Sequence, residues 1–221
     1  MDFAAARLKM LDSQVRTEDV TDYALISAMG TVAREDFVPE NLRQIAYIDD
    51  DLLLTPVGAR PRRYLMRPAS FARMVQLLEL TGAEKALIVG AANGYSAAVL
   101  ARLVRNVVAL EEDGTLADGA RRALSAAGIA NVNLVTGPLN QGVQNEAPFD
   151  AILVEGAVEQ VPDALLNQLT EGGRLVAVVT GGSAPTVVLY TRSAREVGAR
   201  PTFNVPARAL PGFERPKAFI F

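Results

Sequence analysis

The 221-residue chain contains neither cysteine nor histidine. The first absence excludes disulfides, a thiolate nucleophile and zinc–sulfur coordination. The second removes the commonest general base and the commonest side-chain metal ligand, so no metal site is expected. Long hydrophobic runs are missing as well: no segment approaches the ~20 apolar residues that a membrane span requires. The N-terminus carries Asp2, Arg7 and Lys9 and lacks the apolar run of a secretory leader. Positive charge is not in excess. A net charge of −3 argues against general affinity for nucleic acid or anionic membranes. These absences predict a cytoplasmic protein with no nucleic-acid or membrane partner.

What is present is apolar bulk. Hydrophobic residues make up 50% of the chain, enough for one full core. The most informative stretch runs from Lys85 to Leu100. An apolar strand over 85–89, without alternation, ends at Gly90-Ala91-Ala92-Asn93-Gly94 and is followed by a helix-forming run. That is the strand, glycine turn and helix of a nucleotide-binding α/β unit. Strand 107–111 then ends in Glu111, whose carboxylate can accept both hydroxyls of a ribose. A solvated strand end beside Glu112 and Asp113 is the plainer reading of that acid. Gly90 and Gly94 serve equally well as small residues between strand and helix.

Periodicity places helices over roughly 3–15, 19–30, 40–46 and 68–80, the last burying Phe71, Met74, Val75 and Leu78. From 85 onward, strands at 85–89, 107–111, 132–135, 150–154 and 173–179 alternate with helices at 95–104, 115–127 and 161–169. The runs 186–191 and 199–205 read as closing antiparallel strands. This alternation predicts an α/β fold with a doubly wound, mainly parallel sheet. The chain reads as one domain, with an N-terminal helical and loop segment over 1–80 and the α/β core over 81–221. The apolar end Ala218-Phe219-Ile220-Phe221 reads as a final strand or a packed tail.

Several longer stretches, in order, resemble the protein-L-isoaspartate O-methyltransferase family, built on the class I S-adenosylmethionine (SAM) methyltransferase fold. They are Val32-Ala33-Arg34-Glu35-Asp36-Phe37-Val38-Pro39, Ala46-Tyr47-Ile48-Asp49, Gly94 to Ala101, Ala147 to Val154 and Gln168 to Val176. The resemblance implies a Rossmann-like fold, SAM as cofactor, and methylation of the α-carboxyl of isoaspartyl residues in damaged proteins or peptides. It implies cofactor contacts at Gly90, Ala92, Asn93, Gly94 and Glu111.

The same resemblance exposes departures. The family's acid before the glycine turn is here Ile88, and its middle glycine is Ala92. The Asp that receives the adenine amino group is Pro138, which has no side-chain acceptor. The Ser beside the transferred methyl is Met66, and the Thr after the fourth strand is Glu155, which could replace part of the missing acceptor set. Arg60, Arg62, Arg63 and Arg67 crowd the substrate loop. They read first as a solvated basic face, or else as an anion pocket in which Arg63 and Arg67 hold the substrate.

A carboxylate nucleophile is already ionised at neutral pH, so methylating it requires no histidine or cysteine. The expectation is therefore a carboxyl methyltransferase with weakened activity. The alternative is a methyltransferase-fold pseudoenzyme that serves as a binding or regulatory module.

Overall fold

The computed structural model describes residues 1–215; the apolar tail read above as a strand or packed segment lies outside the described residues. The chain opens with helix α1 (Phe3–Met10), capped by Asp2, whose carboxylate accepts from Ala5 N–H. The expected helix over 3–15 continues only as a π turn, Leu11–Val15, and a 3₁₀ turn, Arg16–Glu18, and it ends at Asp19 with φ 60°. Helix α2 (Tyr23–Thr31) begins at its own cap, Asp22, later than periodicity alone placed it. Residues 40–45 form a 3₁₀ helix. A short antiparallel pair, β1 (Leu52–Leu53) and β2 (Tyr64–Leu65), ties the ends of the arginine loop together. Helix α3 (Pro68–Gln76) starts at a proline, whose missing N–H costs nothing in a first turn, and buries Phe71, Met74 and Val75.

The α/β core then follows as β3 (Lys85–Val89), α4 (Tyr95–Leu100), β4 (Asn106–Glu111), α5 (Gly114–Ala126), β5 (Val132–Thr136), β6 (Phe149–Val158), α6 (Asp163–Leu166), β7 (Leu169–Val179), β8 (Thr186–Arg192) and β9 (Val197–Asn204). Seven of these strands form one sheet in the order β5-β4-β3-β6-β7-β8-β9. Neighbours from β5 to β7 run parallel, and β8 and β9 are antiparallel, as the sequence predicts. Helix 161–169 is cut to the single turn α6, because the chain from Leu169 is already paired as β7. Strand β6 runs past 154, and its ladder with β7 shifts register between Leu153 and Ala157. The extra residues of such a bulge leave the ladder and re-aim their side chains. Here they are Glu155 and Gly156.

One apolar layer joins both parts of the chain. Met10, Val15, Leu25, Met29 and Phe37 share a buried cluster with Ile88, Val99 and Val178. The opposite sheet face buries Leu87, Val89, Phe149 and Leu175 together with Leu210 and Phe213 from the segment after β9. Strand order reverses at β3, which β4 and β6 flank, and in open α/β sheets ligands lie at the carboxyl ends of the strands at this point.

Candidate functional site

The turn after β3 is built on left-handed backbone at Gly90 (φ 86°), Ala92 (φ 48°) and Gly94 (φ 88°). A non-glycine residue rarely adopts that conformation; Ala92 is held there because its N–H donates to Glu111 Oε2 at 2.7 Å. A Cβ at Gly94 would lie 3.1 Å from Ala120 Cβ, so this glycine serves the approach of α4 to α5. Asn93 turns the same way. Its Oδ1 lies over Gly119 of α5, in a groove shared with residues 35–40. The Asn93 side chain is therefore directed to α5 and not into the crevice with Glu111.

Glu111, at the end of β4, is fully buried, and not the solvated acid of the plainer reading. Besides Ala92, its carboxylate accepts N–H bonds from Glu112 and Asp113, both 3.0 Å from Oε1. Its remaining partner is the guanidinium of Arg63, which donates through Nη1 in a buried ion pair. This corrects the sequence reading of Arg63 as a solvated loop residue: it is 2% exposed and its guanidinium lies on Glu111. Arg60 and Arg62 are exposed, as expected of a solvated loop.

A second segment closes the same crevice. After β9 the chain runs back over the carboxyl ends of β3 and β6, and Ala209 bridges to Ala157. Ala157 N–H donates to Arg208 O and Leu210 N–H to Ala157 O, each at 2.8 Å. The Leu210 side chain then covers both glycines of the crevice. A Cβ at Gly156 would lie 2.5 Å from Leu210 Cγ, and one at Gly90 would lie 3.0 Å from Leu210 Cδ2 and 3.2 Å from Arg63 Nη2. Asn140 Nδ2 fastens the strap further on, donating to Gly212 O at 2.8 Å. Pro138, just before that asparagine, is exposed and opens a 3₁₀ turn; it offers the crevice no side-chain acceptor.

Glu155 sits in the β6 bulge, buried, with Oε2 lacking any hydrogen-bond partner. Burial raises its pKa to about 7, against the opposing pull of Ser96, Arg34 and Arg63. Arg63 Nη2 is likewise without a partner, and both residues line a cavity of ≈ 20 Å³. That is room for about one water molecule.

Met66 is buried, and its thioether gives the site no hydroxyl donor. Its carbonyl accepts from Arg34 Nη2 at 2.8 Å, and Arg34 Nε donates to Ala46 O at 2.8 Å. The same guanidinium stacks 4.7 Å from the centroid of Tyr95, the first residue of α4. Arg34 thus ties the substrate loop, the 46–49 stretch and the start of α4 together. Burial lowers its pKa from the ordinary guanidinium value, against the opposing pull of Tyr95 and Glu155. The sequence placed Arg34 in a family stretch without giving it a role, because beside Glu35 and Asp36 it reads as one of a solvated charged run. Arg67 is half-buried at the mouth. Its N–H donates to Asp51 Oδ1 at 2.9 Å, and Arg208 Nε lies 3.5 Å from Asp51 Oδ2. Burial raises the pKa of Asp51, while the Arg67 N–H and the nearby charges of Arg67 and Arg208 oppose the shift. Arg62, Arg208 and Asp51 also line the cavity mouth, giving it a basic rim. Leu210, Arg208 and Asp51 were not singled out from the sequence; a lone leucine among Ala, Arg, Pro and Gly carries no pattern.

In this arrangement the crevice does not admit a nucleoside cofactor. The acid that would take ribose hydroxyls is engaged by Arg63, the glycine faces are covered by Leu210, and the space left is ≈ 20 Å³. Among the described residues no group of His, Cys, Asp and Glu side chains is placed to hold a metal. No helix among them is long and apolar enough to cross a membrane.

Comparison with known proteins gives a consistent set of relatives. The family model for protein-L-isoaspartate(D-aspartate) O-methyltransferase matches residues 6–205. A protein-L-isoaspartate O-methyltransferase of Methylorubrum populi is 43% identical over 192 residues, spanning 87% of this chain and 88% of that protein. One from Geobacter metallireducens is 42% identical over 192 residues, spanning 87% of each. Among solved structures, a protein-L-isoaspartate O-methyltransferase superposes with a TM-score of 0.81 at 24% identity, covering 93% of this chain and 66% of that one. A putative Plasmodium falciparum protein of the same kind, in complex with S-adenosyl-L-homocysteine, gives 0.76 at 20% identity, covering 95% of this chain and 98% of that one. At those identities the solved structures speak to the fold.

Proposed function

Because this chain belongs to the protein-L-isoaspartate(D-aspartate) O-methyltransferase family, we propose that it is a SAM-dependent protein carboxyl methyltransferase acting on isoaspartyl residues of damaged cytoplasmic proteins. The observation that carries this reading is the family match from residue 6 to 205, which spans the glycine turn, Glu111 and the arginine loop. The closed arrangement of Arg63 and Leu210 is a form of the site from which no transfer step runs.

The chemistry of the chain's own residues supports a carboxylate substrate. A carboxylate is ionised at neutral pH and needs no base, in keeping with a chain that has no histidine or cysteine. The work left to the protein is to hold the nucleophile in line and exclude water. The basic rim of Arg62 and Arg208 suits an anionic group, and guanidinium forks bind carboxylates in two-point fashion. Met66 offers no hydroxyl to orient that group and is bulkier than serine. A misplacement of about 1 Å costs on the order of a hundredfold in rate.

The test is transfer of a radiolabelled methyl group from SAM to an isoaspartyl peptide, with the matching aspartyl peptide as control. Slow transfer to the isoaspartyl peptide alone, accelerated by Met66→Ser, is the expected result. Equal labelling of both peptides, or none by either protein, would count against the reading.

A further inference from the structure

We propose that Arg63 is a tethered competitor of the cofactor: its guanidinium occupies the acceptor on Glu111 that a ribose diol would use, and Leu210 seals the glycine faces beside it. The inference deepens the proposed function and rests on it, since it concerns access to that same site.

Three observations carry it. First, Glu111 is an acceptor prepared independently of Arg63. Three backbone N–H groups, from Ala92, Glu112 and Asp113, already fix its two oxygens. A carboxylate so held keeps partners when the guanidinium leaves. Second, Arg63 is not fully satisfied where it sits. Nη2 is buried without a partner and lies against Gly90, so part of its desolvation is uncompensated. Third, the two plugging side chains arrive on separate connections with few ties. Arg63 stands at the edge of the β1–β2 pair, bonded through its own N–H to Thr55 Oγ1 at 3.2 Å. Leu210 rides a strap whose bonds to β6 flank Ala157 and whose next ties lie further along, at Gly212 to Asn140 and at Arg215 to Glu159. Gly156, whose φ of 154° and missing Cβ admit Leu210, lies in a bulge rather than in the ladder.

A site that is open only part of the time binds ligand more weakly by the open fraction. Removing the competitor therefore tightens binding, which a purely structural arginine would not do. The experiment is calorimetric titration of the full chain with S-adenosyl-L-homocysteine, in wild type, Arg63→Met, Arg63→Lys, Leu210→Ala and Arg63→Met/Glu111→Gln. We expect at least tenfold tighter binding in Arg63→Met and a smaller gain in Leu210→Ala. Arg63→Lys, which keeps a cation on Glu111, should stay close to wild type, and Glu111→Gln should abolish the gain of Arg63→Met. If Arg63→Met does not fold, Arg63→Gln, which removes the charge but keeps a polar side chain, takes its place. Wild type binding as tightly as Arg63→Met, or as Arg63→Gln in that case, overturns the competitor while leaving the methyltransferase reading in place. No binding by any of the proteins overturns both.

Discussion

At the scale of single residues, the buried pair of Arg63 and Glu111 is asymmetric. Glu111 keeps three N–H donors if Arg63 is lost, whereas among the described residues Arg63 Nη1 has no acceptor other than Glu111. Stranding a buried charge costs about 3–5 kcal/mol. Glu111→Ala should therefore destabilise the fold by about that much in urea denaturation, and Arg63→Met by clearly less. The double variant Arg63→Met/Glu111→Ala should recover much of the loss, because no charge is then left alone. Equal costs for the two single variants would contradict this asymmetry.

Glu155 gives the residue scale its pH dependence. Burial raises its pKa from an ordinary 4.5 to about 7. Above pH 4.5 the unfolded chain releases this proton while the folded chain retains it, so the folded state binds more protons and stability falls as pH rises. The contribution is fully present below about 4.5 and is lost through about 7, on the order of 3 kcal/mol in all. Thermal denaturation across pH 4.5 to 8 should show wild type losing stability relative to Glu155→Gln over that window. A difference between the two proteins that does not vary with pH would rule out the raised pKa.

At the scale of elements, local chemistry fixes the helix starts. Asp113 accepts from Thr115 and Leu116 N–H at 2.8 and 3.1 Å and opens α5. Asp113→Ala should cost about 1 kcal/mol, read as a shift in denaturation midpoint without a change in slope. It should leave the Glu111 end of β4 paired. The elements of the core were legible because each strand is a short apolar run bounded by turn residues, whereas periodicity does not reveal the caps at Asp22 and Asp113 and places the start of α2 too early. Helix 161–169 was not, since β7 recruits Leu169 to a ladder with Phe149, a tertiary contact that overrides helical spacing. The position of Glu111 beside the glycine turn could be read from the sequence, but its burial and its bond from Ala92 N–H could not. That its partner is Arg63 could not, because four nearby arginines look alike in sequence and only the β1–β2 pairing decides which of them points inward. The strap carrying Leu210 has no periodicity, and its position depends on the β6 bulge and on Asn140, both far from it in sequence.

At the scale of the molecule, helices α1 and α2 contribute Met10, Leu25 and Met29 to the same buried cluster as Ile88 and Val178 of the sheet. Arg7 adds a polar tie, bonded to Tyr47 Oη at 2.8 Å and to Glu35 at 3.1 Å. We therefore expect one cooperative thermal transition, with far-UV and near-UV signals coincident. Two separated transitions, one confined to residues 1–80, would show instead that the N-terminal segment folds by itself.

The strap bond from Leu210 N–H to Ala157 O has a consequence for how the protein should register a ligand in deuterium uptake. Bound ligands ordinarily slow amide exchange around them. Here a molecule seated on Glu111 would lift Leu210 away and free the amides of Leu210 and Ala157, while the N–H of Ala92 beneath it stays held by the carboxylate. The footprint would then carry two signs, with faster exchange over 208–210 and at 157 beside unchanged or slower exchange over 90–94. Such a map would distinguish a molecule that enters the crevice from one that merely settles on its basic rim.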